Sequence, residues 1–170
     1  NEAGTISYGG CAPGVTSAIN GTNSISFGTL SEASYSCTIT VTDSAGNASS
    51  ALSVNTFVVD TTAATVAEVT VVTTLSNDNT PSYTFSSNEA GNISYGGSCS
   101  SSTTSATSGN NAIIFNALAD GSYSNCTVKV TDNATNQSNA LSVSSFTIDT
   151  TAPAVDSVSS TNSNGAYTLN

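Results

Sequence analysis

Apolar residues of this chain recur in short alternating runs, and clusters of polar turn residues separate the runs every eight to twelve positions. In the stretch 61–149 the pattern predicts strands at 65–73, 81–87, 91–96, 111–117, 122–132 and 139–149, with a shorter one near 103–107. Evenly spaced short strands are typical of an all-β sandwich, and no segment has a convincing helical period. The pattern therefore predicts an all-β fold.

The strand predicted at 122–132 contains a change of phase. Alternate residues from Cys126 to Val130 share one face, whereas Tyr123 is one position out of step with them. We therefore expect a β-bulge at the two residues between Tyr123 and Cys126.

The strand predicted at 139–149 changes phase as well. Leu141 and Val143 alternate in one phase, and Phe146 and Ile148 follow in the other. We expect a bend or bulge between the two pairs.

The chain contains an internal repeat. NEAGTISYGG at 1–10 and NEAGNISYGG at 88–97 share nine of ten residues at an offset of 87, and the later motifs VTD, ALSV and DTTA recur at an offset of 89. Two single-residue insertions in the second copy account for the drift, one at Ser98 and one in Ser124-Asn125. Each insertion lies beside a cysteine, so a bridge between these two cysteines would make the insertions neighbours in space.

The repeat divides the chain into segments of a unit of about 88 residues. We predict a partial repeat at 1–60 that lacks its first strands, a complete repeat at 61–149, and the start of a third repeat at 150–170. A longer tandem array, cut across its repeats, is the simplest explanation of this frame.

The charge of the chain excludes two classes of partner. The sequence has eleven acidic residues, one basic residue and a formal net charge of −10. Nucleic-acid binding and attraction to an anionic membrane surface both need clustered cations, which a single lysine does not provide. No stretch is long and apolar enough for direct membrane insertion in this segment.

The composition also argues against catalysis. Without histidine, the Ser-His-Asp, Cys-His and common zinc arrangements each lack a required member. No glycine-rich phosphate loop follows a strand and opens a helix. The four cysteines favour an oxidising, extracellular location, where disulfide bonds persist. We therefore expect an extracellular protein that is not an enzyme.

Several motifs resemble the tandem bacterial immunoglobulin-like repeats of giant surface adhesins. The motifs are TDSAGN at 42–47, FVVDTTA at 57–63, NDNTPSYTFSSNEAG at 77–91, LADGSYSNC at 118–126 and FTIDTTAP at 146–153. The resemblance implies tandem Greek-key immunoglobulin-like β-sandwiches outside the cell, often with calcium at the junctions between domains. Tyr35 and Tyr123 resemble the tyrosine corner of such domains.

In the strand order that the resemblance implies, the cysteines of each repeat lie on neighbouring strands. Cys11 is then expected to pair with Cys37, and Cys99 with Cys126. Closing a loop of this size stabilises a domain by roughly 3 to 4 kcal/mol in the chain-entropy model. Thiolate metal binding or redox catalysis is the alternative, although no C-x-x-C spacing occurs.

The acids supply the clearest functional signal. Six of them recur at matching positions, and in the implied sandwich three loops of a unit share one pole. Converging carboxylates repel one another unless a cation intervenes, and Ca²⁺ takes six to eight such oxygens. The calcium ligands predicted for the two units and the following linker are Glu2, Asp43, Asp60, Glu89, Asp132, Asn136 and Asp149. The alternative is that these acids cap turns and keep the surface soluble.

The leading hypothesis for function is a structural extracellular spacer, the stalk of a repetitive adhesin or filament. Disulfides within domains and calcium at the junctions would make it rigid, and its partners would be neighbouring repeats of the same chain or fibre. An alternative is a module that binds a host-surface or matrix glycan or protein through the Ser/Thr-rich loop Ser98–Asn110. A third is assembly of separate chains by strand donation.

Overall fold

The computed structural model describes residues 2–157, which divide into two compact units. The residues up to Ala64 and the turn Thr131–Ser138 group together, as do Thr65–Val130 and the residues from Asn139 onward. The described residues form strands and turns without a helix, which confirms the all-β prediction. In this part of the chain there is accordingly no helix that is long and apolar enough to cross a membrane. The repeat limits predicted at 1–60, 61–149 and 150–170 stay predictions.

The first unit contains a four-stranded antiparallel sheet and a two-stranded one. Its strands are β1 (Gly4–Gly9), β2 (Ser17–Ala18), β3 (Ala33–Tyr35), β4 (Thr38–Thr42), β5 (Leu52–Ser53) and β6 (Phe57–Val59). In the larger sheet the strand order is β2-β1-β4-β5, and β3 pairs separately with β6.

The second unit is built on three antiparallel sheets. Its strands are β7 (Val66–Thr70), β8 (Ser82–Ser87), β9 (Gly91–Gly96), β10 (Ser105–Ala106), β11 (Gly109–Ile114), β12 (Gly121–Tyr123), β13 (Thr127–Asp132), β14 (Leu141–Ser142) and β15 (Phe146–Ile148). The sheet β10-β9-β13-β14 matches the larger sheet of the first unit, and β12-β15 matches β3-β6. The third sheet has the order β11-β8-β7.

The strand predicted at 122–132 is two strands, and the bulge predicted there is wrong. Tyr123 pairs with Phe146 in one sheet, whereas Thr127 pairs with Ser142 in another. The chain therefore leaves one sheet for the other across Ser124–Cys126. The first copy breaks between β3 and β4 in the same way, so the break belongs to the fold and not to the extra residue of the second copy.

The change of phase predicted in the last strand is confirmed. β14 ends at Ser142 and belongs to the sheet of β13, and β15 begins at Phe146 and pairs with β12. The bend between them carries the strand from one sheet to the other, and β5 and β6 repeat the arrangement in the first unit.

The core of the second unit is built from alternating residues of facing strands. Tyr83 and Phe85 of β8 are fully buried, as are Val128 and Val130 of β13. Phe115 lies between Tyr83 and Phe146, with ring centroids 5.8 and 6.2 Å away. The shared face predicted for alternate residues from Cys126 to Val130 is therefore confirmed, and it points into the core.

Both predicted disulfides are present. Cys11 is bonded to Cys37, and Cys99 to Cys126, with Cα atoms 5.5 and 5.2 Å apart. The two insertions of the second copy are neighbours, as predicted, since the Ser98 amide donates to Asn125 Oδ1 at 3.2 Å.

The tyrosine corner occurs in both copies. The Tyr35 hydroxyl donates to the Ser31 carbonyl at 2.8 Å, and the Tyr123 hydroxyl donates to the Ala119 carbonyl at 2.9 Å. The aromatic ring also stacks on the first residue of the paired strand, Phe57 of β6 in one unit and Phe146 of β15 in the other. Each corner thus fixes the loop that leads into the tyrosine's own strand, β3 or β12.

The turn after β4 and β13 has a left-handed residue in both copies. Gly46 has φ of 89° and its counterpart Thr135 has φ of 76°. Glycine adopts this conformation freely, whereas the Cβ of a β-branched residue approaches the following carbonyl oxygen. No other atom lies within 4 Å of the position that a Cβ would take at Gly46, so backbone conformation alone sets the preference there.

We expect Thr135→Gly to stabilise the protein and Gly46→Thr to destabilise it. Glycine removes the left-handed strain of the folded state but also raises the conformational entropy of the unfolded chain. The first effect is larger, so the free energy of unfolding should change by about 1 kcal/mol in each direction. Denaturant unfolding of the two variants against the parent chain measures the effect. A lower midpoint for Thr135→Gly would contradict the explanation.

Candidate cation site and linker contacts

Asp43 closes the turn that follows β4. Its Oδ1 accepts from the amides of Ala45 and Asn47, both at 2.8 Å, and its Oδ2 accepts from Asn47 Nδ2 at 2.9 Å. These hydrogen bonds, with the Asn47 side chain as the largest contribution, hold the pKa of Asp43 below its usual value. Asp43 is therefore ionised and anchored at neutral pH.

Asp132 has the same role after β13 and is more buried. Its two oxygens accept from the Asn136 amide at 2.8 Å and from Asn136 Nδ2 at 3.0 Å. Burial by itself raises the pKa of Asp132, but the hydrogen bonds from Asn136 and the turn amides outweigh it and lower the pKa. Both acids therefore cap turns, which was the alternative to a calcium role.

Asn136 also holds the backbone of a linker acid. Its Nδ2 donates to the Asp60 carbonyl at 3.1 Å as well as to Asp132. One carboxylate oxygen of Asp60 lies within 4.8 Å of one of Asp132, so the two carboxylates lie together beside the Asn136 side chain. This group contains three of the residues predicted as calcium ligands.

The corresponding acids of the first unit line a surface pocket of about 460 Å³. Glu2, Asp43 and Asn47 all contribute to its wall, together with Ile19, Asn23 and Ser49. The predicted ligands Glu2 and Asp43 are thus brought to one place, beside Asn47. Asn47 is exposed there and Asp43 is partly exposed.

The other predicted ligands, Glu89 and Asp149, have local contacts. Glu89 follows β8, is partly buried, and has Asn88 Nδ2 3.3 Å from its Oε1. Asp149 accepts from the Thr151 amide at 3.1 Å, as Asp60 accepts from the Thr62 amide at the same distance. The linker acids of both copies therefore cap their own turns.

A second carboxylate in each copy anchors the linker threonines, which the sequence analysis missed. Asp120 accepts from the Thr150 amide at 2.9 Å and from the hydroxyls of Thr150 and Thr151, both at 2.7 Å. The hydroxyls lower the pKa of Asp120, with Thr150 the larger contribution.

Glu32 makes the equivalent contacts in the first copy. It accepts from the hydroxyls of Thr62 and Thr61 and from the Thr61 amide, and the Thr62 hydroxyl is the main cause of its lowered pKa. The change from Glu to Asp conceals this match in the sequence. The available signal was the DTT motif, whose two adjacent threonine hydroxyls can both donate to one carboxylate.

The Ser/Thr-rich loop Ser98–Asn110 is attached to its own unit. Ser101 Oγ donates to the Ile114 carbonyl at 2.7 Å, and Asn116 Nδ2 donates to Ser100 Oγ at 2.9 Å. The Tyr95 hydroxyl donates to the Thr103 carbonyl at 2.6 Å. Several polar groups of the loop are thus used within the unit.

We expect Asp120→Asn to lower the melting temperature at neutral pH by a few degrees, because an amide nitrogen replaces one acceptor. A carboxylate whose folded pKa is lowered stabilises the protein above the unfolded value of about 3.9, and this contribution disappears as the pH falls through the folded pKa. The difference between variant and parent should therefore shrink in acid.

Thermal melts at neutral pH and in acid measure both effects. Asp156→Asn is the control, because it removes the same charge from an exposed position. An Asp120→Asn variant that melts with the parent at neutral pH would show that the threonine contacts do not stabilise the unit.

Comparison with known proteins identifies the domain type. The family model of the bacterial Ig-like domain matches residues 70–150. No curated protein and no solved structure matches the chain. The matched residues contain the Cys99–Cys126 bridge, the tyrosine corner and the Asp132 turn. Domains of this type are generally non-enzymatic and point to a structural or adhesive surface module. Residues 70–150 of this chain, just under half of its length, are similar to the bacterial Ig-like domain.

Proposed function

We propose that this chain is a structural spacer of an extracellular surface protein or filament. The observation that carries the proposal is that both copies contain the same stabilising contacts. Each copy has one disulfide, one tyrosine corner, one turn capped by Asp, and one carboxylate that accepts hydrogen bonds from the linker threonines. Contacts that recur in both copies suit a repeating mechanical element, whose partners are further repeats.

The bridge gives each unit a mechanical function in this proposal. Cys99 and Cys126 join the loop after β9 to the chain just before β13, and those strands are neighbours in one sheet. A covalent bond there carries tension past the enclosed loop, since that loop cannot extend while the bond is intact. Disulfides also persist in the oxidising environment outside the cell.

Single-molecule stretching tests this function. The Cys99–Cys126 bridge spans 27 positions, so unfolding of the oxidised second unit should release roughly 90 Å less contour length than unfolding of the reduced unit. The variant Cys99→Ser/Cys126→Ser should show the longer release without reductant, and Cys11→Ser/Cys37→Ser should leave the second unit unchanged. Equal releases for oxidised and reduced chains would contradict a role of the bridge in carrying tension.

We also propose calcium at the carboxylate groups of the turns and linkers. Asp60 and Asp132 supply carboxylate oxygens in one place, with Asn136 beside them, and Glu2, Asp43 and Asn47 line one pocket. Each carboxylate has about four acceptor positions, so the turn hydrogen bonds leave oxygen lone pairs for a cation. Glu89, the repeat counterpart of Glu2, would belong with Asp60 and Asp132, and Asp149, the counterpart of Asp60, would serve the unit that follows it.

Thermal melts with millimolar Ca²⁺ and with chelator test the cation site. Calcium that binds the folded state should raise the melting temperature by several degrees, since 1 kcal/mol of binding linkage shifts a domain of this size by about 4–8 °C. Asp60→Asn keeps the Oδ1 that caps its turn but loses the charge, and it should abolish most of the rise.

Asp78→Asn is the matched control, because Asp78 likewise caps a turn through Oδ1, here to Thr80. It should retain the full calcium response. Identical melts in calcium and chelator would overturn the calcium proposal while leaving the spacer proposal to the stretching experiment.

A further inference from the structure

Two segments of the second unit lie side by side and run in the same direction. The entry segment is residues 65–76, which contain β7, and the exit segment is residues 141–149, which contain β14 and β15. The Ser76 amide donates to the Thr147 carbonyl at 2.9 Å, and the Asp149 amide donates to the Ser76 carbonyl at 2.8 Å. The pairing at Ser76 is parallel. Two backbone hydrogen bonds therefore join the ends of the two segments.

A carboxylate joins the same two segments further back along both. Glu68 of β7 accepts from the Ser144 amide through Oε2 at 2.9 Å and from the Ser144 hydroxyl through Oε1 at 2.6 Å. Between this contact and the backbone pairing, the Thr147 amide donates to Thr74 Oγ1 at 3.3 Å. The contacts thus follow one another in the same order along both segments, as parallel strands require.

Ser144 lies where the exit segment changes sheets. The Val143 amide still donates to the Cys126 carbonyl at 3.0 Å, and the pairing with β12 begins only at Phe146. The Ser144 amide therefore falls between two backbone ladders, and a buried or half-buried amide without an acceptor is costly. The Glu68 side chain supplies this acceptor, so it holds the exit segment at the point where the sheets do not.

Glu68 is partly exposed and makes these contacts as an anion. Burial by itself raises the pKa of Glu68, but the hydrogen bonds from the Ser144 hydroxyl and amide outweigh it and lower the pKa. On the core side, burial and then the charge of Glu68 raise the pKa of Tyr83, so the phenol stays protonated near the carboxylate. Hydrogen bonds to an ionised acceptor are roughly twice as strong as those between neutral groups.

Tension along the chain acts on these contacts in shear. A pull transmitted through Thr65 draws the entry segment backward along its own length, and a pull transmitted through Asp149 draws the exit segment forward. Because the segments are parallel, the two pulls slide one segment along the other. The hydrogen bonds at Glu68 and Ser76 are then loaded together and do not open one at a time.

We propose that the contact of Glu68 with Ser144 sets the resistance of the second unit to stretching, together with the parallel pairing at Ser76. Glu68 is a positioning residue in this account, because it keeps the exit segment in register so that the backbone bonds share the load. The inference rests on the proposed spacer function for its biological meaning, and it names the noncovalent contact that bears the tension.

Unfolding of the 170-residue chain under constant force, held at its two ends, tests the proposal. The second unit is identified by the event whose length release increases in Cys99→Ser/Cys126→Ser. Glu68→Ala removes both bonds to Ser144 and should raise the unfolding rate of this unit about tenfold, since forced unfolding follows the barrier and a bond to a charged group is worth at least that factor. Thr70→Ala is the matched control on the same strand, because its side chain is exposed, and it should unfold at the parent rate.

Two further variants separate this contact from a general loss of stability. Ser144→Ala keeps the carboxylate and the amide bond, so its rate should lie between those of the parent and Glu68→Ala. The double variant Glu68→Ala/Ser144→Ala should unfold no faster than Glu68→Ala alone, because both changes act through one contact. Ile113→Val removes a buried methyl group of β11 and should lower the melting temperature, yet raise the rate under load less than Glu68→Ala does.

The proposal is overturned if Glu68→Ala unfolds at the parent rate under load, or if Ile113→Val accelerates unfolding as much as Glu68→Ala. It is also overturned if the effects of Glu68→Ala and Ser144→Ala are additive in the double variant. These outcomes leave the spacer function to the comparison of oxidised and reduced chains, which depends on the length released and not on the force.

Discussion

The pairing of β8 with β11 is the constraint on which the rest of the second unit depends. Six residue pairs join the two strands, and β8 brings Tyr83 and Phe85 over an aromatic cluster that also contains Phe115 and Phe146. A strand edge with unpaired amides and carbonyls is costly to bury, so the cluster becomes a closed core only when the partner strand supplies those hydrogen bonds. The first unit has a similar cluster, in which Phe27 lies between Tyr8 and Phe57. Residues 2–64 contain no strand equivalent to β8, and these three rings are partly exposed.

Other features of the two units do not depend on this pairing. The bridges, the tyrosine corners, the capped turns and the threonine contacts of Glu32 and Asp120 are present in both copies. Each involves residues that are close in sequence or lie on directly paired strands, so each forms where the local backbone brings donor and acceptor together. These contacts fix where the chain enters and leaves a unit, whereas the β8–β11 pairing closes its core. A spacer needs both a fixed path of the chain at the ends of each unit and a closed core. Fixed ends do not keep a unit rigid if its core opens.

The strands, the turn acids and both disulfides could be predicted from the sequence. Alternation of apolar residues located the strands, the internal repeat located the acids, and the strand order implied by the family resemblance predicted both bridges. The phase change after Val143 correctly predicted the passage of the last strand between sheets. The same signal at Tyr123 was misinterpreted as a bulge, because a phase change does not distinguish an extra residue from a change of sheet.

The contacts between the linker threonines and their carboxylates were not predicted, for a different reason. Glu32 and Asp120 differ in side-chain length, and a comparison of letters does not show that both reach the same pair of threonines. The turn acids were located but their hydrogen bonds were not, since the contribution of Asn47 and Asn136 depends on turn geometry. The exposure of Ile25 and Phe27 could not be predicted from their own sequence either. It depends on whether a strand pair equivalent to β7 and β8 packs against them.

Hydrogen exchange at matching amides tests the central claim most directly. In the dilute 170-residue chain, the account predicts slow exchange at 111–115 and fast exchange at 23–27, although the two segments share the same apolar pattern. Fusion of residues 61–87 in front of Asn1 should then slow exchange at 23–27 to the level of its counterpart. Equal protection of the two segments in the dilute unfused chain would contradict the account.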